Sequence, residues 1–503
     1  MNQIKAGAIL NYVIIGLNIL TGLLYTPYML LCLGQNEYGL YSIVASVIAY
    51  LTLLDFGFGS AITRYSARIR ATGTKYDEWR LYGMFVCAYT LIGIIVSIVG
   101  IVLYFNIDDM FDKTMTDYEI GQAKIMMGLM VFNLAVTFPL SVFGSIVNAY
   151  EKFVFQRIIN ISRIVLSTLT LVLILSIGYK AVAMVIVQTI FSIGTLIANW
   201  LYCYYRLKTR LIFKKFDYFL LKEILIFSWW NFIGAIVDRL YWNTGQFILG
   251  IYCGTIAVAI YSVALTLFHL YLSMSTAFNS VLLPRITILA TDRNNDKHIS
   301  DLFIKTGRLQ FCVLCLILCG FTLFGKVFIQ LWAGSEYEQS FIITLFFFIA
   351  TFVPLIQNVG LSIIMARGNL KFRSLTYLAI SIATVIGEII IAQRYGVIGC
   401  ALAITIAHII GQWIIMNLYY KKRQQLDIGL FWKNIFQMIK APFFLTCITA
   451  IALHYINIDS WFKLISGILL FLCIYLPTFW LASMNKYEKS QILYVIRKLQ
   501  FTK

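Results

Sequence analysis

The sequence predicts an all-α integral membrane fold of about fourteen transmembrane helices, set out as two parallel-repeat six-helix lobes and two C-terminal helices. Three observations predict it. Of 503 residues, 60% are hydrophobic and only 12% charged, whereas soluble globular chains run nearer a quarter charged. A water-facing surface cannot hide that much apolar area. The apolar residues fall into runs of about 20 or more, the length that crosses hydrocarbon at 1.5 Å per residue. Finally, a shift of 220 residues lays the first two runs on the seventh and eighth without a gap.

Taken in order, spans are expected near 7–33, 38–62, 81–105, 120–148, 156–177 and 181–203. Six more follow near 222–250, 256–283, 309–330, 340–366, 373–393 and 396–420, then two near 441–457 and 464–483. The first run follows a single lysine, Lys5, and is too long for the core of a cleaved signal peptide, so it reads as a retained span. Charge tests the map independently. With both termini on the cytoplasmic side, 33 of the 40 Lys and Arg fall in cytoplasmic segments and six outside. Arg239 alone stays within a span. The positive-inside rule demands this asymmetry, and a missed helix would scramble it. Outer loops are short, and the longest, near 106–119, is acidic (Asp108, Asp109, Asp112, Asp117, Glu119). They leave no room for an outer catalytic domain.

The net charge of +18 does not point to nucleic acid, because the basic residues lie in short clusters between apolar runs. Ten cysteines sit mostly inside those runs and read as small packing residues. Cys312 and Cys315 form a CxxC with no second pair or nearby histidine, so no metal site is expected. The sequence has no P-loop, no HExxH and no acid pair of catalytic geometry. Neither its own ATP hydrolysis nor an enzymatic activity is expected, and no cofactor beyond a possible coupling gradient of H+ or Na+.

In the repeat, Asn11 falls on Asn231, Asn18 on Asp238, Leu20 on Leu240, Gly34 on Gly254 and Tyr41-Ser42 on Tyr261-Ser262. A shift of 215 places Pro139 on Pro354. Six spans separate the copies, an even number, so both copies face the same way and the repeat is parallel. The expected lobes are 1–215 and 216–425, with 426–503 holding the last two helices and a cytoplasmic tail. Such lobes commonly enclose a cavity near the midplane.

Polar residues inside the spans are the candidates for that cavity. Asn11, Asn18, Gly22 and Tyr25 share one face of the first helix at 100° per residue. Asn231, Ala235, Asp238, Trp242, Gly245 and Gln246 repeat the stripe on the seventh. The plainer reading, amides bridging helices within a lobe, stays open. Arg239 is sharper. A charge at the membrane centre costs about 2.5–3.5 kcal/mol on insertion scales, so it needs an acid, a wet cavity or an anionic ligand. Its planar guanidinium suits a phosphate or pyrophosphate; a structural ion pair is the alternative.

Asp55, in Leu54-Asp55-Phe56-Gly57-Phe58-Gly59, is a candidate for ion coupling if burial favours its protonated form. Pairing with Arg64 or Arg68 would keep it charged instead. Asp238, Glu388 and His269 are further coupling candidates, with His408 beside them; a membrane histidine also serves as a hydrogen-bonded packing residue. Pro27, Pro139 and Pro354 should kink their helices.

The stretch from Leu33 to Arg68 resembles the opening of the bacterial polysaccharide-biosynthesis flippases. Its Leu33-Gly34 and Tyr38-Gly39-Leu40-Tyr41 start the second span, and Asp55-Phe56-Gly57 ends it before a basic loop. The second copy, Gly254 to Pro284, resembles their eighth helix. With the span count and the parallel lobes, the resemblance covers nearly the whole chain. It implies the superfamily that also holds the multidrug and toxin extruders and the peptidoglycan-precursor flippase, and with it the multidrug and toxin extrusion fold. It further implies flipping of undecaprenyl-pyrophosphate-linked oligosaccharide repeat units, as in O-antigen and lipopolysaccharide assembly, across the bacterial inner membrane by alternating access. The implied partners are the lipid-linked oligosaccharide, membrane lipid and other polysaccharide-assembly membrane proteins. A cationic cavity handles the headgroup in that family, which fits Arg239, although other midplane arginines are sparse here. Two alternatives remain: an ion-coupled multidrug or cation exporter on the same fold, which Asp238 keeps open, and a polysaccharide polymerase or ligase.

Overall fold

A computed structural model describes residues 3–213, 218–290, 296–367, 370–490 and Leu493, with the side chains at 4, 5, 8, 227, 230, 231, 276–290, 296 and 370 left out. Every regular element among these residues is helical. Several long helices start where a polar side chain satisfies open amides of the first turn. Thr74 caps α3 (Lys75–Phe111) in a capping box with Asp77, and Thr116 caps α4 (Asp117–Ala149) in one with Glu119. Between these and the first helix, α1 (Gln3–Leu51), lies α2 (Phe58–Thr72). Next come α5 (Phe153–Ser176), α6 (Ala181–Tyr205), α7 (Tyr218–Trp242), α8 (Thr244–Cys253) and α9 (Thr255–Ala290). After them follow α10 (Asp296–Trp332), α11 (Ser340–Ile356), α12 (Asn358–Ala366), α13 (Leu370–His408), α14 (Met416–Lys422), α15 (Ile428–His454) and α16 (Trp461–Ala482).

Ten helices among the described residues are long and apolar enough to cross a membrane, and eleven if α11 and α12, bent by 45°, form one span. This is a multi-pass membrane protein. Two of the ten stretches, Ile9–Thr72 and Lys371–Lys422, are too long for a single crossing. Each contains a glycine corner: Gly34 at φ 72°, ψ 175° and Gly396 at φ 58°, ψ −136°. Gly254 turns the chain between α8 and α9 at φ 83°, ψ −176°. The two glycines paired by the 220-residue shift therefore share one backbone conformation, in a region open essentially to glycine alone. The prolines of the second shift both lie inside helices, Pro139 in α4 and Pro354 in α11. The bend follows Pro354 at Gln357.

Two helices start well ahead of their expected spans. α10 begins at Asp296 rather than near 309, and α15 begins at Ile428 rather than near 441, with the Asp427 side chain capping Leu430. Lys433 and Lys440 mask the α15 start in an apolar count, yet Phe431, Ile435 and Met438 recur at helical spacing and are buried.

The chain divides into two compact units, Met1–Ser262 with Tyr377–Cys400, and Val263–Thr376 with Ala401–Lys503. In the first, α4 packs on α3 and α6, and α1 on α5. In the second, α10 packs on α11, α15 and α16. There the Arg308 guanidinium meets the Glu488 carboxylate through two hydrogen bonds with neither side chain more than 5% exposed. A second interruption in this unit is the π-helical stretch Ile409–Ile415 in front of α14. Asn417 just beyond it accepts hydrogen bonds from Gln357 at 2.9 Å and Trp432 at 3.0 Å.

Candidate functional site

In the first unit, the second arm of α1 ends at Leu51 and continues as a 3₁₀ turn, Thr52–Asp55. Phe56 and Gly57 then take left-handed backbone, φ 50° and 70°, before α2 starts. Left-handed backbone at a phenylalanine costs about 1–3 kcal/mol and persists only where packing over-determines it. The packing is there: the Phe56 ring lies 4.6 Å from Phe232 of α7 and 5.8 Å from Phe58. A broken span is tolerated at membrane depth where its freed backbone borders a cavity. This break borders one of about 410 Å³.

Thr52, Asp55, Phe56 and Gly57 from the break line that cavity, with Thr137, Phe138 and Ser141 from α4 and Phe232, Ala235 and Arg239 from α7. The Arg239 guanidinium donates to Asn243 Oδ1 at 3.2 Å and Thr52 Oγ1 at 3.3 Å. Thr52 can accept because its own hydrogen goes to the Ala49 carbonyl at 2.7 Å. Asp55 accepts a hydrogen bond from the Tyr89 hydroxyl of α3. Among the described residues no carboxylate lies within 4 Å of Arg239, so acid and base share the cavity without pairing. Of the two arginines that could have paired with Asp55, Arg68 is engaged elsewhere, with Glu223 at 3.1 Å. A guanidinium, a carboxyl group, three hydroxyls and aromatic walls in one chamber can hold a polar, anionic group.

The remaining candidates are scattered. Asn18 is exposed on α1, outside this cavity, and Tyr25 is half-buried with its hydroxyl enclosed and unbonded. The Asn231 side chain lies outside the described residues. Trp242 is half-buried beside Tyr241, and Asp238 is exposed one position from Arg239. Gln246 is buried and donates to Ser262 at 2.8 Å, a clamp between α8 and α9. Glu388 on α13 is fully buried, with Cys400 Sγ 3.6 Å from one oxygen and no partner on the other. In the second unit, His269 is exposed with Nδ1 2.8 Å from the Leu265 carbonyl. His408, buried just ahead of the π stretch, sits 3.1 Å from that of Ile404. No cluster of three metal-ligating side chains occurs among the described residues.

Several residues that line the cavity or hold its charged groups carry no mark of their own in the sequence. Asn243 follows Arg239 by four positions and Thr52 precedes Asp55 by three, both same-face helical spacings. Tyr89, Thr137 and Ser141 come from distant helices and leave no local signal.

A model of the polysaccharide biosynthesis protein family matches residues 4–290, more than half of the chain. The chain belongs to this family. A Shigella flexneri protein named as an O-antigen transporter is 20% identical over 396 residues, 77% of this chain and 90% of that protein. The lipid II flippase MurJ in an inward closed conformation superposes with a TM-score of 0.72 at 17% identity, covering 94% of this chain and 97% of MurJ. An inward-facing multidrug resistance MATE family transporter of the MOP superfamily gives 0.64 at 13% identity, covering 84% and 95%. At these identities the structures establish the fold that this polysaccharide biosynthesis protein shares with them. Its family and the proteins it resembles are transporters and flippases rather than enzymes.

Proposed function

We propose that this chain is a flippase that moves undecaprenyl-pyrophosphate-linked oligosaccharide units across the bacterial inner membrane by alternating access, for surface polysaccharide assembly. The observation that carries the reading is the single chamber at the helix break that holds Arg239 and Asp55 unpaired. A guanidinium with two of its five N–H groups committed to Thr52 and Asn243 keeps donors for a pyrophosphate. The family and the MurJ-like fold support the substrate class.

The proposal includes about fourteen crossings with both termini in the cytoplasm. The corners at Gly34 and Gly396 each divide a long stretch in two, and Tyr218–Cys253 supplies one more span. It includes lobes at 1–215 and 216–425, with 426–503 trailing. Asn18, Asn231, Tyr25, Trp242 and Gln246, which do not line the Arg239 chamber, belong to the rest of the pathway, and Asp55, Asp238, Glu388 and His269 are the groups through which an ion gradient acts. Other assembly proteins of the membrane are its partners.

The test is Arg239→Ala. Losing a charge-assisted contact of about 1.5–3 kcal/mol weakens headgroup binding by roughly 10- to 150-fold. Surface polysaccharide should disappear while the protein stays in the membrane at its normal level, and normal polysaccharide from that strain refutes the headgroup role. A second reading, export of organic cations, draws on Asp55 in the same chamber and on the MATE-like fold. It requires dye efflux from expressing cells that Asp55→Asn stops and Arg239→Ala spares.

A further inference from the structure

The Asp55–Arg239 chamber lies between two closures within the first unit, and they differ sharply in construction. At the end that carries the Gly34 and Gly254 corners, Gly39 meets the backbone of Thr255. A Cβ on Gly39 would lie 1.9 Å from the Thr255 carbonyl oxygen, so no other residue permits this approach. Hydrogen bonds surround the contact. The Thr255 hydroxyl donates to Glu119 Oε1 at 3.0 Å, and the other Glu119 oxygen is held by the Thr116 cap. Thr114 donates to the Gly250 carbonyl at 2.8 Å. At the opposite end, α2 and α7 are joined through Glu223, which pairs with Arg68, their side chains 44% and 63% exposed, and also hydrogen-bonds Tyr65 of α2.

We propose that the Gly39–Thr255 closure is the tight gate of this transporter and the Arg68–Glu223 pair the loose one. The chamber then exchanges freely at its cytoplasmic end, and opening outward is the step that needs energy input. Naming the ends rests on the orientation and flippase reading above; the difference in strength does not. An exposed ion pair shifts an opening equilibrium by no more than about fivefold. The outer closure sets a backbone-on-backbone contact and two part-buried side-chain hydrogen bonds against opening, and each bond alone carries a several-fold effect.

Hydrogen exchange by mass spectrometry on the full chain in lipid vesicles tests this without any substrate. In the unmodified protein, amides around 250–255 and 114–119 should exchange at least tenfold more slowly than those around 68–73 and 219–223. Gly39→Ala should raise exchange at 250–255 and 114–119 by more than tenfold and leave 68–73 unchanged. Glu223→Gln should raise exchange at its own end by about fivefold at most. Should Gly39→Ala fail to fold, Thr255→Val, which removes only the hydroxyl bond to Glu119, should raise exchange at 114–119 several-fold. Equal protection at the two ends, or Glu223→Gln releasing the Gly39 end, overturns the proposal. Loss of glycan flipping as an activity, with this exchange pattern intact, refutes the flippase reading and leaves the gates standing.

Discussion

Arg308→Met should destabilise the protein more than any surface substitution, and more than removal of its partner. Arg308 binds Glu488 through two hydrogen bonds, one of 3.0 Å, and also donates to the Asn434 carbonyl at 3.1 Å and the Ser483 carbonyl at 3.2 Å. The pair thereby ties α10 to α15 and to the segment after α16. Taking away Arg308 leaves a carboxylate with no exposed surface and one backbone donor, Asn485 N–H at 2.7 Å. Stranding a buried charge in this way costs about 3–5 kcal/mol. Glu488→Gln leaves the buried guanidinium without its counter-charge. Arg308 still keeps two carbonyls and gains the new amide oxygen as acceptors, against a single donor for the orphaned carboxylate, so the cost falls to about 1–3 kcal/mol. At about 2 cal/mol/K per residue, a chain of this length shifts its midpoint by about 1 °C per kcal/mol. Thermal unfolding followed by size-exclusion fluorescence should therefore fall by about 4 °C for Arg308→Met and about 2 °C for Glu488→Gln. The double replacement Arg308→Met with Glu488→Leu should be milder than Arg308→Met alone, because no orphan charge remains. Additive losses in the double variant, or the reverse order of the single ones, would refute the reasoning.

Two other outcomes are expected. Asp55→Asn keeps an acceptor for Tyr89 but cannot take up a proton, so flipping in vesicles should lose its dependence on an imposed pH gradient, whereas Tyr89→Phe should retain it; unaltered gradient dependence in Asp55→Asn removes Asp55 from coupling. Gly83→Ala places a Cβ 2.2 Å from the Ile212 carbonyl oxygen, and overpacking against backbone costs about 1–3 kcal/mol. The hydrogen bond from Ile212 N–H to Trp79 at 3.2 Å should break, and protease cutting near 206–213 should speed up.

What the sequence carries legibly is whatever depends on composition and on residues with no substitute. Apolar runs mark the spans because hydrocarbon accepts little else. Gly34 and Gly254, matched by the repeat, fall at corners because their backbone angles exclude side chains. Arg239 and Asp55 stood out as charges in lipid, and they meet in one chamber. The rest depends on contacts between residues far apart in the chain. Nothing local announces that Arg308 and Glu488 meet, or that Tyr89 reaches Asp55. The helix break is half legible: Gly57 and Gly59 allow either a bend or a close helix approach, but left-handed backbone at Phe56 follows from its packing on Phe232. A polar stripe such as Asn11–Asn18–Tyr25 has a face but no stated neighbour, which is why the seventh helix put Arg239 in the chamber while Asn18 remained outside.

The π stretch Ile409–Ile415 has a consequence for what lies beyond it. A π turn accommodates one residue more than an α turn, so everything downstream is set back by about 100° relative to an unbroken helix. Wound as plain α-helix, the same residues would swing Asn417 away from both Gln357 and Trp432 and cut the cross-brace between the bend after α11 and the start of α15. The surplus residue thus acts as a detent: α14 has one rotational setting in which its amide engages two neighbours, and slipping the bulge along the helix would release both together.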